Sequence, residues 1–399
     1  MRILLITMYM SMKLINLELF FVNSDIEYSR QQMYDFSLEL AKEDIDNSNS
    51  TSIAFMLLLD GFVYSNNLDF YNFLVNVQNY AKDKGVTDLY LIVGMASDNN
   101  VNLKLHTLDY KIINYDFTLV VTAKSYLNNT SEWNYNANKF LFLTGKPSRH
   151  NRITLLSKFY KAGMLSNAEW SFFKPLTDKE WCRNALSDFT DSEYETFLNN
   201  CERKLDSKYY DNRHYTYVNG RQAAESNVFQ SEFGNDIVHI NSNVYTTTSF
   251  SVVSEGVVNE DDYSEYLTEK TYRAIINQHP FILVANAKMY KYLQQEGYKT
   301  FSEYFSIPDY FNITDTHEYL DAVVQNTLYF INNFHLYKDN IQADIDHNYL
   351  LLNKKIQKCI DTRNFLVNNG ADEDEVDFYL NHTGPSRLIR IYEVENENN

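Results

Sequence analysis

Short apolar runs alternate with longer amphipathic stretches in the first third of the chain, and this alternation constrains the fold most. Four runs with the length of a buried strand lie at residues 2–7, 53–59, 89–93 and 119–122. Helical patterns occupy residues 29–42 and 68–83 between them, and Gly85 follows the second as a helix stop. Such alternation predicts a largely parallel, doubly wound α/β sheet.

The first apolar run is interpreted as a buried strand rather than a secretory signal peptide. Lys13 and Glu18 follow it closely, and no small-residue cleavage site is present. No run of about 18 apolar residues occurs, so a membrane span is not expected. The three cysteines are widely spaced. They predict neither a disulfide framework nor a zinc site, and they favour a reducing, cytoplasmic compartment.

A second α/β unit follows residues 127–138, an aperiodic segment with the composition of a linker. Residues 174–230 are polar, acidic and aromatic, and are interpreted as an insertion with a helix near residues 191–205. Beyond residue 314 the pattern is helical and then acidic. The predicted parts are an N-terminal Rossmann-like domain, a second Rossmann-like domain with the insertion, and a helical extension with an acidic tail, at residues 1–137, 138–314 and 315–399.

The most informative segment is a basic stretch after a strand. Residues 139–163 contain six Lys or Arg and no acid, although the chain carries a net charge of −18. Four basic side chains lie between the strand and the start of the next helix: Lys146, Arg149, His150 and Arg152. Helix N-termini and the carboxyl ends of parallel strands attract anions, so the segment predicts a phosphate or diphosphate site. A solvated basic loop is the alternative interpretation.

The Gly145–Lys146 pair is not part of a P-loop. That motif requires a glycine five residues before Gly145, where this chain has Phe140, and Ser or Thr after the lysine, where it has Pro147.

A second candidate corner begins at Thr268, a good N-cap before Glu269 and Lys270. Glu269 suits the positive end of a helix dipole, whereas Lys270 is unfavourable there unless it meets an anion. Glu255 directly follows another apolar strand. Helix complementarity for Glu269 and an ordinary loop acid for Glu255 are the alternatives.

Three features occur together: H-x-R in a basic loop, a strand followed by Glu, and T-E-K at a helix start. This combination resembles certain phage and large-virus glycosyltransferase-like proteins. The Glu…TEK spacing is similar to the donor half of fucosyltransferases with two facing Rossmann-like domains. The resemblance covers residues 139–305. It implies a GT-B-like α/β fold in which the two domains face a cleft.

The resemblance also implies a nucleotide-sugar site. Arg149 and Arg152 would hold the diphosphate with Lys270, and Lys146 stands where arginine is expected. Glu269 would accept hydrogen bonds from the ribose and Glu255 would face the sugar or the ribose. His150 would contact phosphate, and Tyr272 would line the base or phosphate side.

Asp60, between an apolar strand and Gly61, is the candidate catalytic base; a turn-forming Asp-Gly is the alternative, and His150 is the second candidate. D-x-D pairs begin at Asp44, Asp344 and Asp372, on helical or acidic stretches typical of solvated surface. We therefore expect neither a metal nor another cofactor.

The sequence thus predicts a hexosyl- or pentosyltransferase that moves a sugar from a nucleoside-diphosphate sugar to a hydroxyl acceptor. A hydroxymethylated base in phage DNA and a glycan are both candidate acceptors; the net charge of −18 disfavours only extended DNA binding. The alternatives are a non-catalytic nucleotide- or glycan-binding virion-associated protein of the same fold, and a nucleotide-binding phosphotransferase.

Overall fold

The computed structural model groups the chain into two compact units. Unit 1 contains residues 1–120, 264–266 and 355–399, and unit 2 contains residues 121–263 and 267–354. The structure describes residues 12–17, 30–57, 68–94, 107–126, 132–144, 150–172, 183, 186–187, 189–200, 217–218, 221–222, 243–255, 258 and 267–381. The three-part division predicted from the sequence stays a prediction.

Unit 1 is built on a parallel sheet whose described strands follow the chain in the order β1-β2-β3-β4. These strands are β1 (Met12–Asn16), β2 (Ser52–Leu57), β3 (Asp88–Gly94) and β4 (Lys111–Tyr115). The helix α1 (Arg30–Asp46) follows β1, and α2 (Leu68–Asp83) follows β2. The helix α3 (Phe117–Tyr126) follows β4 and is divided between the two units at residue 120.

The core of unit 1 forms because its central strands are apolar on both faces. All residues of β2 are buried, which is typical of parallel strands covered by helices on both sides. Phe55 and Leu91 from the strands pack in one cluster with Phe70, Leu74 and Val77 from α2. The 3.6-residue period of α2 places these side chains on its inner face.

Two helices of the C-terminal part contribute to unit 1: α10 (Lys338–Asn368), from residue 355 onward, and the whole of α11 (Glu373–Asn381). Arg363 donates from two nitrogens to the two carboxylate oxygens of Asp377, both at 2.6 Å. Lys13 of β1 donates to Glu375 at 2.9 Å. The predicted acidic tail is therefore helical up to Asn381, and residues 382–399 lie outside the described residues.

Unit 2 contains a second parallel sheet with the described strand order β10-β9-β5-β6. These strands are β5 (Phe140–Leu143), β6 (Ala168–Ser171), β9 (Phe250–Ser254) and β10 (Phe281–Val284). The two-residue strands β7 (Tyr217–Val218) and β8 (Arg221–Gln222) pair separately with each other.

The helices of unit 2 connect and cover this sheet. In chain order they are α4 (His150–Lys161), α5 (Asp191–Asn200), α6 (Asn243–Thr246), α7 (Glu269–Ile276), α8 (Ala287–Gln295) and α9 (Thr316–Asn333), followed by the first part of α10. Aromatic rings fill the interior: Phe140 lies 5.0 Å from Phe159 of α4, and Phe250 lies 4.8 Å from Phe330 of α9, between ring centroids. These contacts pack α4 against β5 and α9 against β9.

The structure confirms the α/β class, the two parallel-sheet units and the helical C-terminal segment. The strand predicted at residues 119–122 is wrong, because this stretch lies inside α3 and the strand is β4. The run Leu-Val-Val-Thr has strand propensity, but Asp116 accepts a hydrogen bond from the backbone N–H of Leu119 at 2.9 Å and caps a helix there. The strand predicted at residues 2–7 lies outside the described residues.

The predicted linker also contains an ordered anchor. Trp133 is buried, and its indole N–H donates to the carbonyl of Ser249 at 2.6 Å. This bond attaches the segment before β5 to the residue that precedes β9.

His279, at the amino end of β10, makes the stability of unit 2 dependent on pH. It is buried, its Nδ1 lies 2.7 Å from Ser251 Oγ and its Nε2 lies 3.0 Å from the Thr248 carbonyl. Burial lowers its pKa from 6.5 to about 4. In the unfolded chain this imidazole is protonated below pH 6.5, whereas in the folded chain it is protonated only below about pH 4. The free energy of unfolding therefore decreases as the pH falls through this window.

We expect unit 2 to lose about 3 kcal/mol of stability by this route between pH 6.5 and 4. Urea unfolding followed by tryptophan fluorescence measures this, because Trp133 and Trp170 belong to unit 2. The variant His279→Gln, which has no titrating group at this position, should have a flatter pH dependence. Equal slopes for the two proteins would contradict this assignment.

Candidate functional site

The candidate site lies at the carboxyl edge of the sheet in unit 2. The backbone N–H of Glu255 donates to the carbonyl of Val284 at 3.0 Å, so Glu255 continues the pairing between β9 and β10. Open parallel sheets bind ligands at this edge, because helices begin there and backbone N–H groups point outward.

Glu255 is fully buried, and each of its carboxylate oxygens accepts a hydrogen bond from a different threonine. Oε1 accepts from Thr271 Oγ1 at 2.5 Å, and Oε2 accepts from Thr268 Oγ1. Thr268 is the N-cap of α7 and Thr271 is in its first turn. The end of β9 is thereby fixed to the beginning of α7.

Lys270 and Glu269 form the more accessible part of the site, with side chains that are 23% and 27% exposed. Lys270 Nζ donates to Glu269 Oε1 at 2.5 Å and to Thr268 Oγ1 at 3.2 Å. Burial opposes ionisation of Glu269, but the charges of Lys270 and Arg273 outweigh it and lower the pKa of this carboxyl to about 2. Glu269 is therefore a hydrogen-bond acceptor at neutral pH.

The start of α4 reaches the same strand end from the other side of β9. Arg152 is 4% exposed and its guanidinium donates to the Ser254 carbonyl at 3.4 Å, and Asn151 Nδ2 lies 3.4 Å from Ser254 Oγ. Because Ser254 precedes Glu255, a second cation lies near the corner made by Glu255 and Lys270. Cations beside two helix starts suit an anionic ligand.

Buried tyrosines form hydrogen bonds with the backbone at the end of β10. Tyr319 of α9 donates to the carbonyl of Ala285 at 3.1 Å and accepts from its N–H at 3.0 Å, and Tyr310 donates to the Leu283 carbonyl at 2.6 Å. These bonds hold the backbone where β10 turns into α8, next to Glu255. They stabilise the edge on which the site lies.

The structure places the predicted site residues unequally. It brings together Arg152, Glu255, Glu269 and Lys270. His150 is exposed at the first position of α4, and Tyr272 is fully buried, so this placement does not support a ring that lines the ligand. Three further residues of the predicted site, Asp60, Lys146 and Arg149, lie outside the described residues.

Sequence reasoning did not anticipate the roles of Thr271 and Ser254. The hydroxyl of Thr271 occupies one oxygen of Glu255, and the carbonyl of Ser254 receives Arg152. A signal for Thr271 was present, since T-E-K-T places a second hydroxyl on the first turn of a helix that follows a strand-end acid. The carbonyl of Ser254 has no sequence signal, because every residue carries a backbone carbonyl.

The described residues contain no cluster of three or more His, Cys, Asp or Glu side chains suited to a metal ion. Of the D-x-D pairs, Asp44 and Asp46 lie on α1, and Asp344 of α10 accepts a hydrogen bond from Tyr304 at 2.7 Å. Metal independence stays a prediction. Among the described helices, none combines the length and apolar character needed to cross a bilayer.

Comparison with known proteins assigns no family to this chain. No family model and no curated protein matches the chain. Among solved structures, an α,α-trehalose-phosphate synthase (UDP-forming) from Burkholderia vietnamiensis matches 87% of this chain and 80% of its own, with 12% sequence identity and a TM-score of 0.40. This similarity is too low to carry an argument, so the fold described above rests on this chain's own strand pairing.

The Thr271 hydroxyl should be required for the stability of unit 2. Thr271→Val keeps the shape of the side chain but leaves Oε1 of the buried Glu255 without this donor, which costs about 1–3 kcal/mol. Thr271→Ser retains the hydroxyl and should be markedly less damaging. Urea unfolding at pH 7, followed by tryptophan fluorescence, compares the two; a valine variant as stable as the serine variant would contradict the hydrogen bond.

Proposed function

We propose that the protein is a glycosyltransferase that moves a hexosyl or pentosyl group from a nucleoside-diphosphate sugar to a hydroxyl acceptor. One observation carries the proposal: at the carboxyl edge of a parallel sheet, Lys270 and Glu269 pair beside the buried carboxylate of Glu255, and Arg152 donates to the residue that precedes this carboxylate. The resemblance of the T-E-K segment to donor halves of fucosyltransferases points to the same function.

The charges of the site match the demands of this reaction. As the bond between the anomeric carbon and the diphosphate oxygen breaks, the electron pair moves to the departing diphosphate. Fixed cations stabilise this charge more strongly in the transition state than in the ground state. In the proposal Arg152 supplies a planar donor group and Lys270 a point charge.

Glu269 is suited to the ribose of the donor. A carboxylate only accepts hydrogen bonds, and the two ribose hydroxyls are donors. The pKa of about 2 keeps Glu269 charged at neutral pH, so it would hold these hydroxyls throughout the physiological range. Lys146, Arg149 and His150 are proposed as further donor contacts.

The acceptor hydroxyl must lose its proton as its oxygen bonds to the anomeric carbon. We assign this proton to the carboxylate of Asp60. We propose no metal, because Arg152 and Lys270 would neutralise the charge of the leaving diphosphate. The acceptor is proposed to be a modified DNA base or a glycan, and a cytoplasmic location would give access to nucleotide sugars.

Nucleoside diphosphates should stabilise unit 2, and the two cations should be required. We expect Lys270→Ala and Arg152→Ala each to weaken binding about 10-fold to 100-fold, the effect of removing one charged hydrogen-bond partner. A thermal-shift and calorimetric screen with UDP, GDP, ADP, CDP and dTDP measures this.

The matched control is Lys291→Ala, which removes an exposed lysine of α8 from the same unit. It should bind like the wild type. Binding of no diphosphate by the wild type would contradict the proposed function.

Asp60→Asn should reduce sugar transfer about 10²- to 10⁴-fold through kcat, the usual contribution of a general base, while diphosphate affinity stays unchanged. Asp44→Asn, on α1 of the same unit, is the control. The assay follows release of nucleoside diphosphate from a nucleotide sugar, with mass spectrometry of hydroxymethylated DNA nucleosides and of glycans as acceptors. Equal kcat in Asp60→Asn and the wild type would contradict the role of Asp60, and binding without any turnover would favour a non-catalytic nucleotide-binding protein.

A further inference from the structure

We infer that Glu255 is a positioning residue: it acts through Thr268 to fix the ammonium group of Lys270, and it does not contact the donor. This differs from the expectation that Glu255 faces the sugar or the ribose. The inference rests on the proposed function, in which Lys270 binds the donor diphosphate.

Glu255 is less accessible than Lys270 and Glu269. The residue is 0% exposed, whereas the side chains of Lys270 and Glu269 are 23% and 27% exposed. Both of its carboxylate oxygens accept from threonines of the α7 start. A donor hydroxyl would therefore have to reach a fully buried carboxylate whose two oxygens already accept from α7.

The hydroxyl of Thr268 transmits the effect. A hydroxyl has one proton and two lone pairs. Thr268 donates its proton to Glu255, so its lone pairs face Lys270, from which it accepts the backbone N–H at 3.3 Å and Nζ at 3.2 Å. Glu255 therefore sets the direction of the hydroxyl, and the hydroxyl sets the position of the ammonium group.

The ammonium group retains capacity for a ligand. Lys270 Nζ has three donors. Within the described part of the chain, Thr268 and Glu269 accept from it, which leaves one N–H for a phosphate oxygen. Lys270 is also a cation in the first turn of α7, where the helix dipole repels it. The nearby carboxylates offset this repulsion and keep the charge at the site.

A double-mutant cycle tests the coupling. Binding of the nucleoside diphosphate that stabilises the wild type, and of its parent nucleoside, is measured for the wild type, Glu255→Gln, Lys270→Met and the double variant. We expect Glu255→Gln to weaken diphosphate binding about 10-fold and to leave nucleoside binding unchanged. In the Lys270→Met background, Glu255→Gln should have no further effect.

A second pair keeps the test independent of the buried substitution. Thr268→Val should reproduce the loss of diphosphate affinity, and Thr268→Ser, which retains the hydroxyl, should restore it. Thermal unfolding followed by tryptophan fluorescence checks that each variant is folded. If Glu255→Gln does not fold, this pair still tests the step through Thr268: equal diphosphate affinities of Thr268→Val and Thr268→Ser would contradict the inference.

The failures can be told apart. A wild type that binds no nucleoside diphosphate contradicts the proposed function and this inference with it. If the wild type binds, two outcomes contradict this inference alone. In the first, Glu255→Gln weakens binding of the nucleoside and of the diphosphate equally. In the second, Glu255→Gln weakens diphosphate binding as much in the Lys270→Met background as in the wild type.

Discussion

The parallel pairing of β9 on both sides is the constraint on which the candidate site depends. β9 is hydrogen-bonded to β5 on one side and to β10 on the other, and every residue of it is buried. Because neighbouring strands are parallel, the helices that follow them start at one edge of the sheet. This geometry brings the start of α4 and the start of α7 to the end of β9, although Arg152 and Ser254 are 102 positions apart.

At that edge the chain places an acid where an apolar residue would suffice for packing. A buried carboxylate costs free energy unless its oxygens accept hydrogen bonds, and an apolar side chain of similar volume avoids this cost. Two threonines of α7 supply the required donors to Glu255. A conflict between local stability and residue choice is typical of functional sites. The donors that offset this cost come from the start of α7, whose first turn also carries the partly exposed Lys270.

The sequence predicted what depends on local patterns and missed what depends on distant partners. Buried strands such as β2 and the N-cap Thr268 follow from apolar runs and from side-chain chemistry within a few residues. β1 was missed because Lys13 interrupts its apolar pattern, and the partner of that lysine, Glu375, lies 362 positions away. The hydroxyl of Thr271 was missed for the same reason, since its acceptor belongs to another element.

The net charge of −18 is compatible with an anionic ligand because much of the acidity has structural partners. Asp372 caps α11 by accepting the N–H of Glu375 at 2.9 Å, and Asp377 accepts two bonds from Arg363. These acids stabilise a helix end of unit 1. At physiological ionic strength exposed charges are screened beyond about 8 Å, so groups in direct contact decide what an anion experiences. At the start of α7 these groups are the partly exposed ammonium of Lys270 and the carboxylate of Glu269, which accepts from it. In the proposed site, the affinity for a phosphate would depend on how firmly this ammonium is held.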